Sequence, residues 1–254
     1  MRPIAPSTPE RPLVLAHRGA SASAPENTLA AFRLAVEQGA DGVELDVWRC
    51  ASGEPVVIHD ADARRTAGVE LDVSKASLRE LRQLDAGAWK GAPFRGERIP
   101  TLSEVLRELP RSVVNVELKS RGRSDARLAR AVAQVIRDLG AARRVVVSSF
   151  DPTLLAAFRI AAGEIPIGAL VEADPRWRSR ELAARVLSPS AIHPEWPLVD
   201  AREMDRWRAA GLAVNVWTVD APSDAARACA LGVTAIITNV PEAVRAEVRR
   251  TTAR

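Results

Sequence analysis

Short β-branched runs alternate with longer Ala-, Leu- and Arg-rich stretches along almost the whole chain, and this alternation constrains the fold more than any other feature. The runs are LVLAH (13–17), GVELDVW (42–48), VVNVELK (113–119), VVVSSF (145–150), IPIGALVE (165–172), AIHPEW (191–196), LAVNVWTV (212–219) and TAIITN (234–239). PVVIH (55–59) reads as an extension of the second run, which gives eight strands, and seven of the intervals between them carry helical periodicity. Apolar strands separated by helices pair in parallel and are buried on both faces. Eight such units in 254 residues predict a closed TIM (β/α)8 barrel, with an open doubly wound sheet as the alternative. The stretch from about Asp60 to Pro100 is longer than a barrel connection needs. It reads as a small insertion after the second strand, with a helix over SLRELRQLDAG (77–87). The expected organisation is one barrel domain over 13–250, preceded by a Pro-interrupted leader, 1–12. That leader has no apolar h-region, so it reads as disordered and not as a signal peptide.

Composition excludes several classes. With 47% hydrophobic and 27% charged residues the chain can bury a substantial core, unlike collagen, coiled-coil or disordered sequences. Basic and acidic residues, 36 against 32, are interleaved, and no basic cluster interleaved with aromatics marks a nucleic-acid surface. No apolar run approaches the ~20 residues of a membrane span, so no stable membrane insertion is expected. Cys50 and Cys229 form no CxxC pattern, which suits a reduced, cytoplasmic setting.

In such barrels chemistry gathers where the strands end. The three histidines of the chain, His17, His59 and His193, all fall at predicted strand ends. Glu44 and Asp46 are two apart, so on a strand both side chains point to one face. Glu117 and Lys119 repeat that spacing on the next barrel strand. Carboxylates crowded on one face of a doubly covered sheet need a cation. Three of them from neighbouring strands suit a hard divalent ion, Mg2+ or Ca2+, better than Mn2+ or Zn2+, although His17 and His59 are conceivable zinc ligands. The alternative is that Glu117 simply pairs with Lys119. Arg18 and Lys119 add cationic groups suited to a phosphate, and two imidazoles beside it supply acid and base. These residues point to metal-assisted phosphoester hydrolysis.

The segment AHRGASASAPENTLAAFRLAVEQGADGVELDVWRCASGEPVVIHD (16–60) resembles the opening of the glycerophosphodiester phosphodiesterase family. Its HRG and PENT, its ELDV strand and its terminal HD carry the resemblance. So do LDAGAWKGAPFRGERIPTLSEVL (84–106), NVELK (115–119), SSF (148–150), VWTV (216–219) and GVTAIITNVP (232–241). The resemblance implies a TIM barrel that hydrolyses small-molecule glycerophosphodiesters to sn-glycerol 3-phosphate and an alcohol, with a divalent metal. By position His17 and His59 match the family's catalytic histidines, and Glu44, Asp46 and Glu117 its metal ligands. Arg18 and Lys119 match residues beside the substrate phosphate, and Trp217 an aromatic wall beside the glycerol. His193 is expected at the rim of the substrate site. The family's usual turn after ELDV is replaced by Arg49 to Gly53, and Asn239 stands where the family often has Asp. Two other functions remain in view. One is a lysophospholipase D-type enzyme with Trp89 and Phe94 as an apolar lip; the other is a non-catalytic glycerophosphodiester-binding protein.

Overall fold

The computed structural model describes residues 11–252 except residues 123 and 175. Apart from Arg11 and Pro12, the expected disordered leader lies outside the described residues. The strands are β1 (Leu13–His17), β2 (Gly42–Arg49), β3 (Pro55–Val57), β4 (Val113–Leu118), β5 (Val145–Ser149), β6 (Ile167–Val171), β7 (Ala191–Pro194), β8 (Ala213–Val216) and β9 (Ala235–Thr238). All but β3 follow one another in parallel register, and β1 pairs with both β9 and β2. The ring is therefore a closed eight-stranded barrel, and an open sheet is excluded.

Capping residues at their starts position the outer helices. Asp125 accepts from Arg127 N ahead of Ala126–Asp138, and Asp151, followed by Pro152, accepts from Thr153 N and Leu154 N ahead of Pro152–Ala161. Along each strand, alternate residues serve two cores. Val43, Leu45, Val114, Val116, Val145 and Val147 pack outward against helices. Leu13, Leu15, Ala235 and Ile237 cluster inside the ring with Val113 and Trp217. This period of two puts Glu44, Asp46, Glu117 and His17 on inward positions.

PVVIH does not extend the second strand. Gly53, at φ 111° with its N–H bonded to Cys50 O, reverses the chain, and β3 runs antiparallel to β2, with Val47 opposite Val57. A turn thus forms at Arg49 to Gly53, and it makes a hairpin that folds His59 back toward the barrel mouth. The segment that follows has its own core of Ile58, Val73, Leu81, Ala86 and Ile99. Its expected helix over 77–87 is reduced to Leu78–Leu81. Beyond it Asp85 accepts from the N–H groups of Gly87, Ala88 and Gly96, so backbone donors that a helix would use are tied into a loop.

Candidate active site

Strand register assembles the carboxylates. His17 stands opposite Glu44 and Glu44 opposite Asn115, while Asp46 stands opposite Glu117. Glu44, Asp46 and Glu117 offer ligand oxygens that all lie within 4.8 Å of one another, and all three side chains are buried. Glu44 and Glu117 line a cavity of about 230 Å³ together with His17, Arg18, His59, Lys119, Phe150 and Trp217. Asp46 sits behind them, with Asn27 donating to its Oδ2 at 2.8 Å and Lys119 Nζ 3.2 Å from its Oδ1. The sharp turn after β1 depends on Gly19, at φ 87°, where a Cβ would lie 2.6 Å from that of Ala31.

The charges are unevenly satisfied. Burial, then the neighbouring Asp46 and Glu117, push the Glu44 carboxyl well above its usual range. Burial and Asp46 likewise push Glu117 up to about 7, against the pull of Lys119 2.8 Å away. Burial also works to raise Asp46, but Lys119 and Arg18, helped by His59 and Asn27, hold it below the usual carboxylate range. Two of three buried carboxyls thus lack sufficient positive charge. An all-oxygen donor set with that deficit fits a hard divalent cation.

The histidines are fixed through their Nδ1 atoms. Asn239 Nδ2 donates to Asp220, which can only accept, so Asn239 Oδ1 faces His17 Nδ1 at 2.8 Å and also accepts from Ser21 Oγ. His17 Nδ1 must therefore be the donor, and Nε2 is the free ring nitrogen. His59 Nδ1 lies 2.6 Å from Asp60 Oδ1, and Asp60 is held by Arg65, which also grips Glu26, the partner of Arg18. Burial, with Arg18, lowers His17 to about 4, and burial lowers His59 in part against the pull of Asp46 and Asp60.

Trp217 lines the cavity, its ring edge-on to Phe150 at 5.7 Å between centroids. His193 does not stand at the rim. It is fully buried on an inward position of β7, and its ring fills the space left by the missing side chain of Gly168. Asn215 Nδ2 lies 3.0 Å from its Nε2. Asn27 has φ 57° and supports Asp46, while its neighbour Thr28 caps the helix that follows. Trp89, 43% exposed, and Phe94, half-buried, lie outside the buried core of the insertion. Sequence reasoning missed Asn27, Asp60, Asn115 and Asp220. The i, i−2 spacing of Asn115 from Glu117 was a usable signal, whereas Asp220 carried none.

Comparison with known proteins agrees with this geometry. The model of the glycerophosphoryl diester phosphodiesterase family matches residues 17–243. A glycerophosphodiester phosphodiesterase of Caldanaerobacter subterraneus subsp. tengcongensis is 37% identical over 243 residues, covering 94% of this chain and 98% of that protein. A phosphodiesterase from Oleispira antarctica, solved in complex with the product sn-glycerol-3-phosphate, superposes with a TM-score of 0.85 at 31% identity, covering 94% of this chain and 97% of that one. A glycerophosphodiester phosphodiesterase from Agrobacterium tumefaciens gives 0.80 at 31% identity, covering 92% and 99%. The chain is a phosphoric diester hydrolase that belongs to the glycerophosphoryl diester phosphodiesterase family.

Proposed function

We propose that this chain hydrolyses glycerophosphodiesters to sn-glycerol 3-phosphate and an alcohol, using a divalent metal, Mg2+ or Ca2+, and histidine acid–base catalysis. The reading is carried by one observation: both histidines, two of the three clustered carboxylates, Arg18 and Lys119 line a single cavity. The product bound by the Oleispira antarctica relative supports the substrate class. Glu44, Asp46 and Glu117 would hold the metal, which when bound offsets phosphate charge as it builds up in the transition state. Arg18 and Lys119 add cationic groups at the same wall and orient the phosphate.

The two histidines divide the proton work according to their partners. His17, bonded to a neutral amide, remains an unprotonated base whose Nε2 accepts the proton of the attacking hydroxyl. His59 is backed by the Asp60 carboxylate, which pulls its pKa back up against the burial that lowers it, and donates its Nε2 proton to the departing alkoxide. Trp217 and Phe150 present apolar surface to the carbon atoms of the glycerol. The test is release of sn-glycerol 3-phosphate from glycerophosphocholine by protein stripped with EDTA and resupplied with Mg2+, Ca2+, Mn2+ or Zn2+. Release that stops without metal and returns with Mg2+ or Ca2+ is expected. No release with any ion, together with release from lysophosphatidylcholine, would replace this reading with the lipid-active one.

A further inference from the structure

A phosphodiester has two arms, and the catalytic cavity accounts for one. Trp217, the residue after β8, stands on the opposite side of the eight-stranded ring from Lys119, the residue after β4. Lys119 lines both the catalytic cavity and a second, larger groove of about 450 Å³. That groove runs between the insertion, at Ala61, Asp72 and Ser74, and the described residues Ser120, Arg121, Ser124, Asp125, Arg127 and Leu128. An arm that leaves the phosphate away from the Trp217 wall would point toward this groove, across their shared residue Lys119.

The groove is built for a particular charge. Among the described residues, four cations line it, Arg49, Lys119, Arg121 and Arg127, against two carboxylates, Asp72 and Asp125. Asp125 is occupied by Arg49 at 2.7 Å and Arg127 at 3.3 Å, and Lys119 by Asp46 and Glu117. Asp72 accepts from Ser74 N and Oγ and lies 3.7 Å from Lys75. The Arg121 side chain is exposed and has no hydrogen bond or ion pair within the described residues, exerting only a longer-range pull on Asp72. A quaternary ammonium head group wants aromatic faces. Among the described residues the groove offers one aromatic ring, that of Trp48, whose Nε1–H is tied to His59 O, and not the several faces that would enclose such a group.

We infer that this groove binds the alcohol arm of the substrate and selects a head group carrying a second anionic group, a phosphate or carboxylate, through the free guanidinium of Arg121. This rests on the hydrolytic reading above and specifies its substrate class. No covalent step is added: the same P–O bond breaks, and the groove acts only on which diester is held.

The experiment compares kcat/KM for two diesters with the metal-loaded enzyme. One is glycerophosphocholine; the other is bis(glycerophospho)glycerol, whose leaving alcohol bears a second phosphodiester. The wild type is expected to favour the anionic diester, and Arg121→Glu, an exposed change, to lower that preference about five- to tenfold, mainly through KM. Raising the salt concentration should lower the wild-type preference in the same direction. Release from both diesters with the same ratio in wild type and variant would overturn this inference alone. No release from either would overturn it together with the hydrolytic reading.

Discussion

The Nδ1 of His17 lies 2.8 Å from the Oδ1 of Asn239, a residue 222 positions away in the chain, and Asp220 fixes that amide by accepting from both its backbone and side-chain N–H groups. The contact exists because β1 and β9 are neighbours in the closed ring. It leaves Nε2 of His17 as the ring nitrogen facing the carboxylates, 3.8 Å from Glu44 Oε2.

Removing the amide should free the ring. Asn239→Ala is expected to lower kcat about tenfold with little change in KM, on the scale measured for outer-shell partners, whereas Asn239→Asp retains an acceptor and should recover part of the loss. Steady-state kinetics with nitrogen-15 NMR of the imidazole checks both the rate and the tautomer. An unchanged tautomer in Asn239→Ala would show that Asn239 does not position His17.

Both histidines are expected to carry proton transfers. His17→Ala and His59→Ala should each lower kcat by about 10²–10⁴ while the thermal midpoint stays close to that of the wild type, since both rings lie at the cavity wall. Near-normal turnover in either variant would remove that residue from the mechanism.

Carboxylate crowding makes a stability prediction of opposite sign with and without metal. Glu44 is buried beside two like charges, so above the ordinary carboxylate range its ionisation costs folding free energy. Glu44→Gln should therefore melt higher than the wild type at pH 8 in EDTA. With metal at a hundred times its Kd the wild type should gain about 2.7 kcal/mol, and the variant should gain much less. Scanning calorimetry in both conditions decides it.

Asn27 sits one layer behind the carboxylates proposed to hold the metal. Its Nδ2 donates to Asp46 Oδ2 at 2.8 Å, and Asn27→Ala should weaken metal affinity about 10–100-fold. Calorimetric titration of the stripped protein with Mg2+ or Ca2+ measures this directly, and equal affinity would contradict the support role.

His193 makes the fold acid-sensitive. Burial pushes its pKa from 6.5 down to about 3, so between those values the unfolded chain binds a proton that the folded chain does not. Its contribution is intact above pH 6.5 and is lost as the pH falls toward 3. In that window the wild type should lose about 1.4 kcal/mol per pH unit more than His193→Gln does. Urea unfolding at pH 7 and pH 5 checks the difference.

The sequence by itself determined the alternation of strands and helices and placed most of the candidate site residues at strand ends, because the signals involved are local. A period of two along a strand put Glu44 beside Asp46 and Glu117 beside Lys119 without reference to any other element. The alternation of apolar runs with helical stretches likewise fixed parallel pairing and the number of barrel strands. Tertiary structure decided what depends on facing and on distant partners. Whether PVVIH continued or reversed turned on the φ of Gly53. Whether His193 stood at the rim or inside turned on the space beside Gly168, on a neighbouring strand. Asn27 serves Asp46, 19 residues on, a partnership that no local spacing reports. Residue spacing reports which side of an element a group occupies; only ring closure, which sets register among strands far apart in the chain, reports what that side meets.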